Sequence, residues 1–345
     1  MALHNPSPLI SIVILTWNSA LHLPRCLDSL AQQTIQDFEV VIVDNGSSDD
    51  ALMDLERKYP QFQFSIKKLD SNLGFAVGNN IGARLARGRW LALLNADAFP
   101  DPDWLEQLLR AAQNAPAFSF FASRQIQAGQ PDLLDGEGDI YHVSGLAWRR
   151  QYGTPVYPAS QPEEVFSPCG AAALFDRAEF LAVDGFDEDF FAYHEDVDLG
   201  FRLRLVGKRC LYVPGAVVYH IGSASSSKKS DFSMYYGHRN LVWSFFKNMP
   251  GGLFWAYLPL HLAANLVLML FYSLRGRSGV FWRAKRDAFL GLPKYLRKRQ
   301  EIQRKRVASV SAIHAAMNRN WLAPLRASGQ HLETKDKSKS SANVR

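Results

Sequence analysis

The chain has 345 residues, of which 47% are hydrophobic and 21% are charged. This composition excludes a disordered polymer, and the length allows a substantial core in one large or two small domains. The net charge of +6 is unevenly distributed: residues from 275 onward carry 18 Lys and Arg against 4 Asp and Glu. An acidic body with a basic tail is not typical of a nucleic-acid-binding protein, so no nucleic-acid partner is expected.

The basic tail directly follows an apolar segment, and this order favours attraction to an anionic membrane surface. A solvated helical tail is the alternative. The three cysteines, Cys26, Cys169 and Cys210, are far apart, so the sequence predicts neither a disulfide framework nor a cysteine metal site and favours a reducing compartment. The apolar run 10–15 is too short for a signal peptide and is predicted to be a strand.

Strands and helices alternate over about the first 110 residues, which predicts an α/β fold with a doubly wound, mostly parallel sheet flanked by helices. The predicted strands are 10–15, 38–43, 62–69 and 90–94. The predicted helices are 20–33, 50–58, 78–87 and 103–112. In such sheets, ligands bind beyond the carboxyl ends of the strands. Three polar groups follow strands here: Thr16 and Asn18, Asp44 and Asn45, and Asn95 with Asp97.

Residues 114–164 are rich in Gly, Pro and aromatic residues, and the sequence assigns them no regular structure. The remaining predicted elements are a strand at 171–175, a helix at 177–183, a helix at 194–206 and a strand at 211–219. The segment 253–272 is long enough to span a membrane, but Pro259, His261 and Asn265 interrupt it. A helix or hairpin lying in the membrane interface is therefore favoured, and a buried core helix is the alternative.

Three acids, Glu195, Asp196 and Asp198, stand close together on an apolar background. Such acids are costly to bury unless they bind a cation or move a proton. Asp196 is predicted to be a general base, and Glu195 is predicted to raise the pKa of Asp196 through like-charge coupling. Acids at the start of a helix are also favoured by its dipole, and Asp198 fits this structural explanation better than Asp196 does.

A second acidic group, Asn95-Ala96-Asp97, ends an apolar strand and resembles a D-x-D signature with Asn in the first position. Asp97 is a candidate ligand for Mg²⁺ or Mn²⁺, and Asn95 can supply a carbonyl oxygen or bind ribose. His220, at the end of another strand, is a candidate neutral imidazole ligand. The alternatives are a structural turn at 95–97 and an ordinary hydrogen-bonded histidine.

A loop rich in Gly and Asn, at residues 72–80, leads into a predicted helix. Such loops let the backbone approach a phosphate or a sugar, and Asn72, Gly74 and Asn79 are the candidate contacts. The loop is not a G-x-G-x-x-G sequence, and no Lys-Ser or Lys-Thr pair of the Walker type follows it.

Taken in order, these motifs resemble those of inverting glycosyltransferases of family 2, and in particular of the bacterial rhamnosyltransferase branch. The resemblance covers roughly residues 8–225. It rests on residues 11–18 (SIVILTWN), 43–49 (VDNGSSD), 72–76 (NLGFA), 94–97 (LNAD), 193–199 (YHEDVDL) and 218–220 (VYH).

The resemblance implies a GT-A fold and a role for each motif. Thr16, Asp44 and Asn45 would line the nucleoside pocket, and Asn95 and Asp97 would occupy the D-x-D positions. Asp97 and His220 would bind the metal, and Asp196 would be the base. The Asn at position 95 departs from the acidic pattern and leaves the first coordination shell of the metal open.

We therefore predict a catalytic domain at 1–240, a membrane-associated helical region at 241–310 and a partly disordered basic tail at 311–345. The enzyme would transfer a sugar to a saccharide on a polyprenyl diphosphate lipid at the cytoplasmic face of the membrane. The favoured sugar is rhamnose, with dTDP-rhamnose as its donor. A UDP- or GDP-linked donor, a nucleotidyl or phosphoryl transferase, and a non-catalytic binding protein are the alternatives. The sequence does not predict the oligomeric state.

Overall fold

The structure, a computed structural model, describes residues 7–222 and 230–324. A sheet of ten strands forms its centre, and one half of that sheet is parallel. The order in this half is β4-β1-β2-β3. Its strands are β1 (Ile10–Thr16), β2 (Phe38–Asp44), β3 (Phe64–Lys68) and β4 (Trp90–Asn95). β1, β2 and β4 are covered on both faces, which explains why they read as continuous apolar runs.

Four helices connect these strands and lead out of β4. They are α1 (Leu23–Ala31), α2 (Leu55–Lys58), α3 (Phe75–Leu85) and α4 (Trp104–Asn114). The helix predicted over 50–58 is wrong for its first half, because α2 is a single turn that starts after Asp54 in the left-handed conformation. Helix α3 begins three residues earlier than predicted, directly after Gly74 at φ 90°.

The second half of the sheet has six strands, and three of them lie in or at the end of the segment to which the sequence assigned no regular structure. Its strands are β5 (Ala98–Pro100), β6 (Phe120–Gln127), β7 (Gln130–Gly136), β10 (Glu163–Val165), β11 (Ala172–Asp176) and β12 (Cys210–His220). All pairings here are antiparallel except that of β12 with β6. A separate two-stranded sheet contains β8 (Asp139–Tyr141) and β9 (Ala147–Arg149).

The remaining helices are α5 (Arg177–Ala182), α6 (Glu195–Leu205), α7 (Asp231–Asn248), α8 (Gly251–Leu274), α9 (Ser278–Arg304) and α10 (Val310–Ala316). The domain boundary predicted at residue 240 falls inside α7. Helix α8 continues through Pro259, so of the helix or hairpin predicted for this segment the structure has a helix. Among the described residues, α8 is the one helix long and apolar enough to cross a membrane. The tail predicted at 311–345 begins with α10, and its residues 325–345 lie outside the described residues.

Alternate residues of the parallel strands supply two separate cores. Ile12 and Ile14 pack into a cluster with residues of α1 and α4, whereas Val13 packs into a cluster with α3, α5 and α6. A third cluster joins the far side of α6 to α7, α8 and α10. Helix α6, which carries the predicted base, is therefore fixed between the sheet and the C-terminal helices.

Two glycines allow α3 to lie directly against β1. A Cβ atom added at Gly82 would come within 2.3 Å of Cγ1 of Val13, and one at Gly78 within 2.2 Å of Cδ1 of Leu15. Val13 is fully buried in a core that has little room to relax, whereas Leu15 is only partly buried. Gly82 is therefore the position that most strictly requires glycine for packing.

We expect Gly82→Ala to lower the free energy of unfolding by about 1–3 kcal/mol, because the added methyl group overpacks the contact with β1. Gly237→Ala is the matched control, since Gly237 is also helical and nothing lies within 4 Å of its added Cβ. The control should raise stability by up to about 1 kcal/mol. Urea denaturation of both variants measures the difference, and equal effects would contradict this packing.

Candidate functional site

The carboxyl ends of β1 and β2 bring the first group of predicted residues together. Thr16 is fully buried, and its Oγ1 atom has no hydrogen-bond partner among the described residues. Asn18 accepts a hydrogen bond from the Ser48 amide at 2.8 Å, and Asp44 accepts one from the Ser47 amide at 3.0 Å. These side chains fold the 44–49 loop over the end of β1. The Thr16 hydroxyl stays buried and without a hydrogen-bond partner among the described residues.

Asn45 joins this end of the sheet to the glycine loop. Its Nδ2 atom donates to Oδ1 of Asn72 at 2.9 Å, and its Oδ1 atom accepts from the Leu73 amide at 2.8 Å. Gly74 is left-handed, and its added Cβ would lie 2.6 Å from the carbonyl oxygen of Phe191. Asn79 does not join this group, because it is buried and donates to the Phe75 carbonyl of its own helix.

Strand pairing explains why Asn95, Asp97 and His220 meet although 125 residues separate the first from the last. β5 follows Asp97 and pairs with the end of β12, so that Ala98 lies opposite His220. Nε2 of His220 lies 3.3 Å from Oδ1 of Asp97 and 3.4 Å from Nδ2 of Asn95. The sequence predicted this grouping, and the register of two strands produces it.

Asp135 is a residue of this site that the sequence reasoning missed. Its Oδ2 atom lies 2.8 Å from Nδ1 of His220, and it also forms an ion pair with Arg149. A carboxylate only accepts hydrogen bonds, so the proton on Nδ1 donates to Asp135 and Nε2 faces Asp97. Burial alone would lower the pKa of His220, but the hydrogen bonds to Asp135 and Asp97 outweigh it and raise that pKa.

A signal for Asp135 was present in the sequence. Residues 135–139 read Asp-Gly-Glu-Gly-Asp, and acids at every second position of an extended chain point to the same side. All three acids are buried. Glu137 binds the hydroxyl groups of Tyr157 and Tyr212, and Asp139 lies against Ser167. The alternation was hidden because the flanking Gly and Pro residues indicated a loop.

The loop before α6 has a strained backbone. Phe191 has φ 66° and ψ −64°, and the Ala192 amide donates to the Phe190 carbonyl at 2.8 Å, which makes a γ-turn of the rare positive-φ kind. Tyr193 and His194 also have positive φ. Such conformations of bulky residues cost about 1–3 kcal/mol each and are concentrated at functional sites.

Asp196 lies at the first turn of α6, where its carboxylate accepts two backbone hydrogen bonds. Oδ2 accepts from the Gly170 amide at 3.1 Å and Oδ1 from the Val197 amide at 2.8 Å. Burial raises the pKa of Asp196 and outweighs these bonds. Burial, and then the like charge of Asp196, raise the pKa of Glu195 well above its usual range.

Asp198 has the structural role that the sequence favoured. It forms ion pairs with Arg202 at 2.8 Å and Lys247 at 2.7 Å, and it accepts a hydrogen bond from Asn248 at 2.7 Å. Burial alone would raise the pKa of Asp198, but the two cations lower it. Asp198 therefore fastens α6 to α7. Asp196 is the acid of this group that faces Gly170.

A continuous series of contacts joins Asp196 to the His220 group. The Arg149 guanidinium, which pairs with Asp135, lies 2.8 Å from Sγ of Cys169, and the next residue, Gly170, donates to Asp196. The following carbonyl, that of Ala171, accepts from the Asn95 amide at 2.9 Å. The segment 169–171 therefore lies between the predicted base and the predicted metal ligands.

The residues around Asp97 fit a divalent cation of the Mg²⁺ type. Such ions take oxygen donors, commonly one or two carboxylates with water and phosphate oxygens for the rest. Within residues 7–222 and 230–324, no three His, Cys, Asp or Glu side chains are grouped to hold a metal. Asp97 and Nε2 of His220 would supply two ligands, and the raised pKa means that the metal competes with a proton on His220.

A separate cleft of about 640 Å³ lies between residues 180–189 and α9. Charged side chains line it, but several of them are paired with one another, as Lys247 and Lys298 are with Asp187. None of the predicted site residues lines this cleft. The predicted site therefore lies at the strand ends and not in this cleft.

The chain is similar to known proteins both in sequence and in fold. Residues 11–180 match the model of the family described as glycosyl transferase family 2. The N-acetylglucosaminyl-diphospho-decaprenol L-rhamnosyltransferase of Mycobacterium tuberculosis is 29% identical over 299 residues. The alignment covers 77% of this chain and 94% of that relative, so the similarity extends beyond the matched family model into the C-terminal helices.

Two solved structures share the fold. The mannosyltransferase PcManGT from Pyrobaculum calidifontis, solved in complex with GDP-Man and Mn²⁺, gives a TM-score of 0.55 at 18% identity and covers 90% of this chain and 87% of its own. GalNAc-T7, solved with UDP, GalNAc and Mn²⁺, gives a TM-score of 0.57 at 18% identity, with 70% and 48% covered. At this identity the likeness concerns the fold, which is of the GT-A type.

We expect Asp135→Asn to weaken Mn²⁺ binding by about 10- to 100-fold, because His220 loses the charged partner that orients its ring. Titration calorimetry with Mn²⁺, in the presence of a nucleoside diphosphate, measures the change. Asp132→Asn, on the exposed part of the same strand, is the control and should bind as the wild type does. Unchanged affinity in a folded Asp135→Asn protein would remove Asp135 from this role.

Proposed function

The chain belongs to glycosyltransferase family 2, and from this premise we propose that it transfers a sugar from a nucleoside diphosphate to a saccharide, with inversion at the anomeric carbon. The observation that carries the proposal is the series of contacts from Asp196 through Gly170 and Arg149 to His220. These contacts support a base and a metal-binding group that lie on either side of the bond between the sugar and the diphosphate.

We propose dTDP-rhamnose as the donor, so that rhamnose is the sugar transferred. The proposed acceptor is a saccharide on a polyprenyl diphosphate lipid. The support is the relative from M. tuberculosis, whose name gives L-rhamnose and an N-acetylglucosaminyl-diphospho-decaprenol. UDP- and GDP-linked sugars are the alternative donors, and the solved structures of the same fold hold such nucleotides.

Asp196 would accept the proton of the attacking hydroxyl group as the new bond forms. A hydroxyl group is a poor nucleophile until a base takes its proton, and such a base contributes about 10²–10⁴-fold in rate. The backbone hydrogen bonds from Gly170 and Val197 hold both carboxylate oxygens in place. Glu195, whose raised pKa favours the protonated form, would limit the negative charge beside the base.

Asp97 and His220 would hold a divalent cation, Mg²⁺ or Mn²⁺, against the diphosphate. When bound, the cation would neutralise the charge that develops on the leaving group. Asn95 lies beside His220 and can offer its amide to the ribose or its carbonyl oxygen to the cation. The buried hydroxyl of Thr16, with Asp44 and Asn45, would line the nucleoside pocket, and Asn72 and Gly74 would form the adjoining loop.

Asp196→Asn should abolish sugar transfer, with a loss of at least about 10²-fold, while donor affinity stays within a few-fold of the wild type. A turnover assay with dTDP-rhamnose, paired with titration calorimetry of the donor, measures the two effects. Asp184→Asn, a change of the same kind at an exposed acid, is the control.

Full activity of Asp196→Asn would remove this residue from the role of base. The released product separates the other classes of function. Release of the nucleoside diphosphate supports sugar transfer, whereas release of pyrophosphate from a labelled donor would indicate a nucleotidyl transferase. No turnover of any nucleotide sugar by the wild type would favour a binding protein.

Helix α8 has its polar side chains on the protein side and its apolar side chains outside. His261 is buried and hydrogen-bonds the Ser144 carbonyl at 2.8 Å, and Asn265 binds His261. On the outside, the exposed residues are Trp255, Leu262, Leu266, Val267, Leu270, Phe271 and Leu274. A helix facing water has the opposite arrangement, so we propose that the outer face of α8 lies in lipid.

Helix α9 adds charge to this surface. Trp282, Phe289 and Leu290 are exposed on it among several Lys and Arg residues. Apolar side chains interleaved with cations are typical of helices that bind the surface of an anionic membrane. We therefore propose a catalytic domain attached by residues 241–310 to the cytoplasmic face of the membrane, without a full span.

Replacing Leu262, Leu266 and Leu270 with Glu should release the protein from membranes, because three charges would enter the lipid-facing side of α8. Flotation with vesicles containing phosphatidylglycerol measures binding. Met53→Glu, at an exposed residue of the catalytic half, is the control and should float with the wild type. A triple variant that still floats, or a wild type that stays in solution, would contradict the proposed attachment.

A further inference from the structure

The strained loop that leads to the proposed base is held from outside by one buried side chain. Asn240 of α7 is fully buried, and its Nδ2 atom lies 2.9 Å from the Phe190 carbonyl, 3.0 Å from that of Ala192 and 2.8 Å from that of Tyr193. The two N–H bonds of one amide group are therefore shared among three carbonyls on both sides of the γ-turn.

The orientation of the Asn240 amide is fixed by its neighbour. Oδ1 of Asn240 accepts a hydrogen bond from Nε of Arg239 at 3.0 Å, so the NH₂ group is the one that faces the loop. Nη2 of Arg239 donates to the carbonyls of Asp189 at 2.9 Å and Phe190 at 3.1 Å. Two consecutive residues of α7 thus bind four carbonyls of one loop.

The loop joins both halves of the proposed site. The Phe191 carbonyl accepts from the Phe75 amide at 2.6 Å, at the start of α3 directly after the glycine loop. Phe191 is followed, five residues later, by Asp196. A change of the γ-turn would therefore move the base relative to the donor loop, and a backbone with three positive φ angles does not keep this shape by local preference.

We propose that Asn240 is a positioning residue for the transfer reaction, and that it holds the 190–194 loop in the conformation that aims Asp196. The inference rests on the proposed function, since it assigns Asp196 as the base. Asn240 touches neither a substrate nor a reacting atom. It acts through the backbone that it fastens, and this distinguishes it from the catalytic residues.

Asn240→Asp tests the proposal, because aspartate has the same shape but presents an acceptor to carbonyls that need a donor. We expect kcat to fall by about 10²-fold, the size typical of a misplaced catalytic group, with donor affinity unchanged within about twofold. Hydrogen exchange should become faster in the peptide that covers residues 188–197. Asn240→Ala, which only removes the donor, should change the same quantities in the same direction.

Gln303→Ala is the matched control. Its amide also donates to a backbone carbonyl of the helical layer, that of Asn248 at 2.9 Å, but it does not contact the loop. This variant should keep the kcat and the exchange rates of the wild type. If neither Asn240 variant folds, Arg239→Gln decides by the same criteria, since it removes the two other loop contacts.

A folded Asn240→Asp protein with the kcat of the wild type would overturn the proposal. So would a loss of kcat matched by an equal loss of donor affinity, because that indicates general damage to the site. A wild type without transfer activity would refute the proposed function instead. In that case the exchange rates of residues 188–197 still decide whether Asn240 holds the loop.

Discussion

Buried negative charge, and the need to compensate it, determines how this site is built. Asp135, Glu137 and Asp139 are all buried, and a buried carboxylate without a partner is strongly unfavourable. Asp135 pairs with His220 and Arg149, and Glu137 accepts hydrogen bonds from two tyrosine hydroxyls. Asp139 lies against Ser167, and burial and the charge of Asp196 raise its pKa well above the usual range, which favours its neutral form. Three acids on one short stretch therefore fasten β12, β9 and the 166–170 segment to one another, and the proposed metal and base positions follow from this.

Backbone strain is the second constraint, and it is balanced by packing from the helical layer. The γ-turn at Phe191 is unfavourable in isolation. It persists because α3, through the Phe75 amide, and α7, through Asn240, bind its carbonyls. Upstream, Lys298 of α9 pairs with Asp187 and Asp189. Contacts from three elements thus over-determine a conformation that the loop sequence would not choose alone.

The sequence allowed the parallel half of the fold to be predicted, because continuous apolar strands and helical spacing are local signals. The same holds for the grouping of Asn95, Asp97 and His220, which the order of motifs indicated. The sequence did not reveal β6 to β10, because the Gly and Pro residues of this segment indicated a loop. For the same reason the alternation of acids that includes Asp135 was not recognised. Asn240 was missed because its role depends on contacts across about 50 residues, which no local pattern encodes.

The C-terminal helices cannot be treated as a passive anchor, because one of them, α7, is shared between two surfaces. On one side α7 supplies Asn240 and Arg239 to the base loop, and on the other it packs along α9. Trp243 of α7 donates to the Ala288 carbonyl of α9 at 2.9 Å and stacks on Tyr295. Helix α9, against which α7 packs in this way, also carries the exposed apolar residues. The surface proposed to meet lipid and the loop that leads to the proposed base are therefore two faces of one packed layer. In the proposed reaction, a saccharide on a lipid would reach Asp196 beside the helices that we propose to contact the membrane.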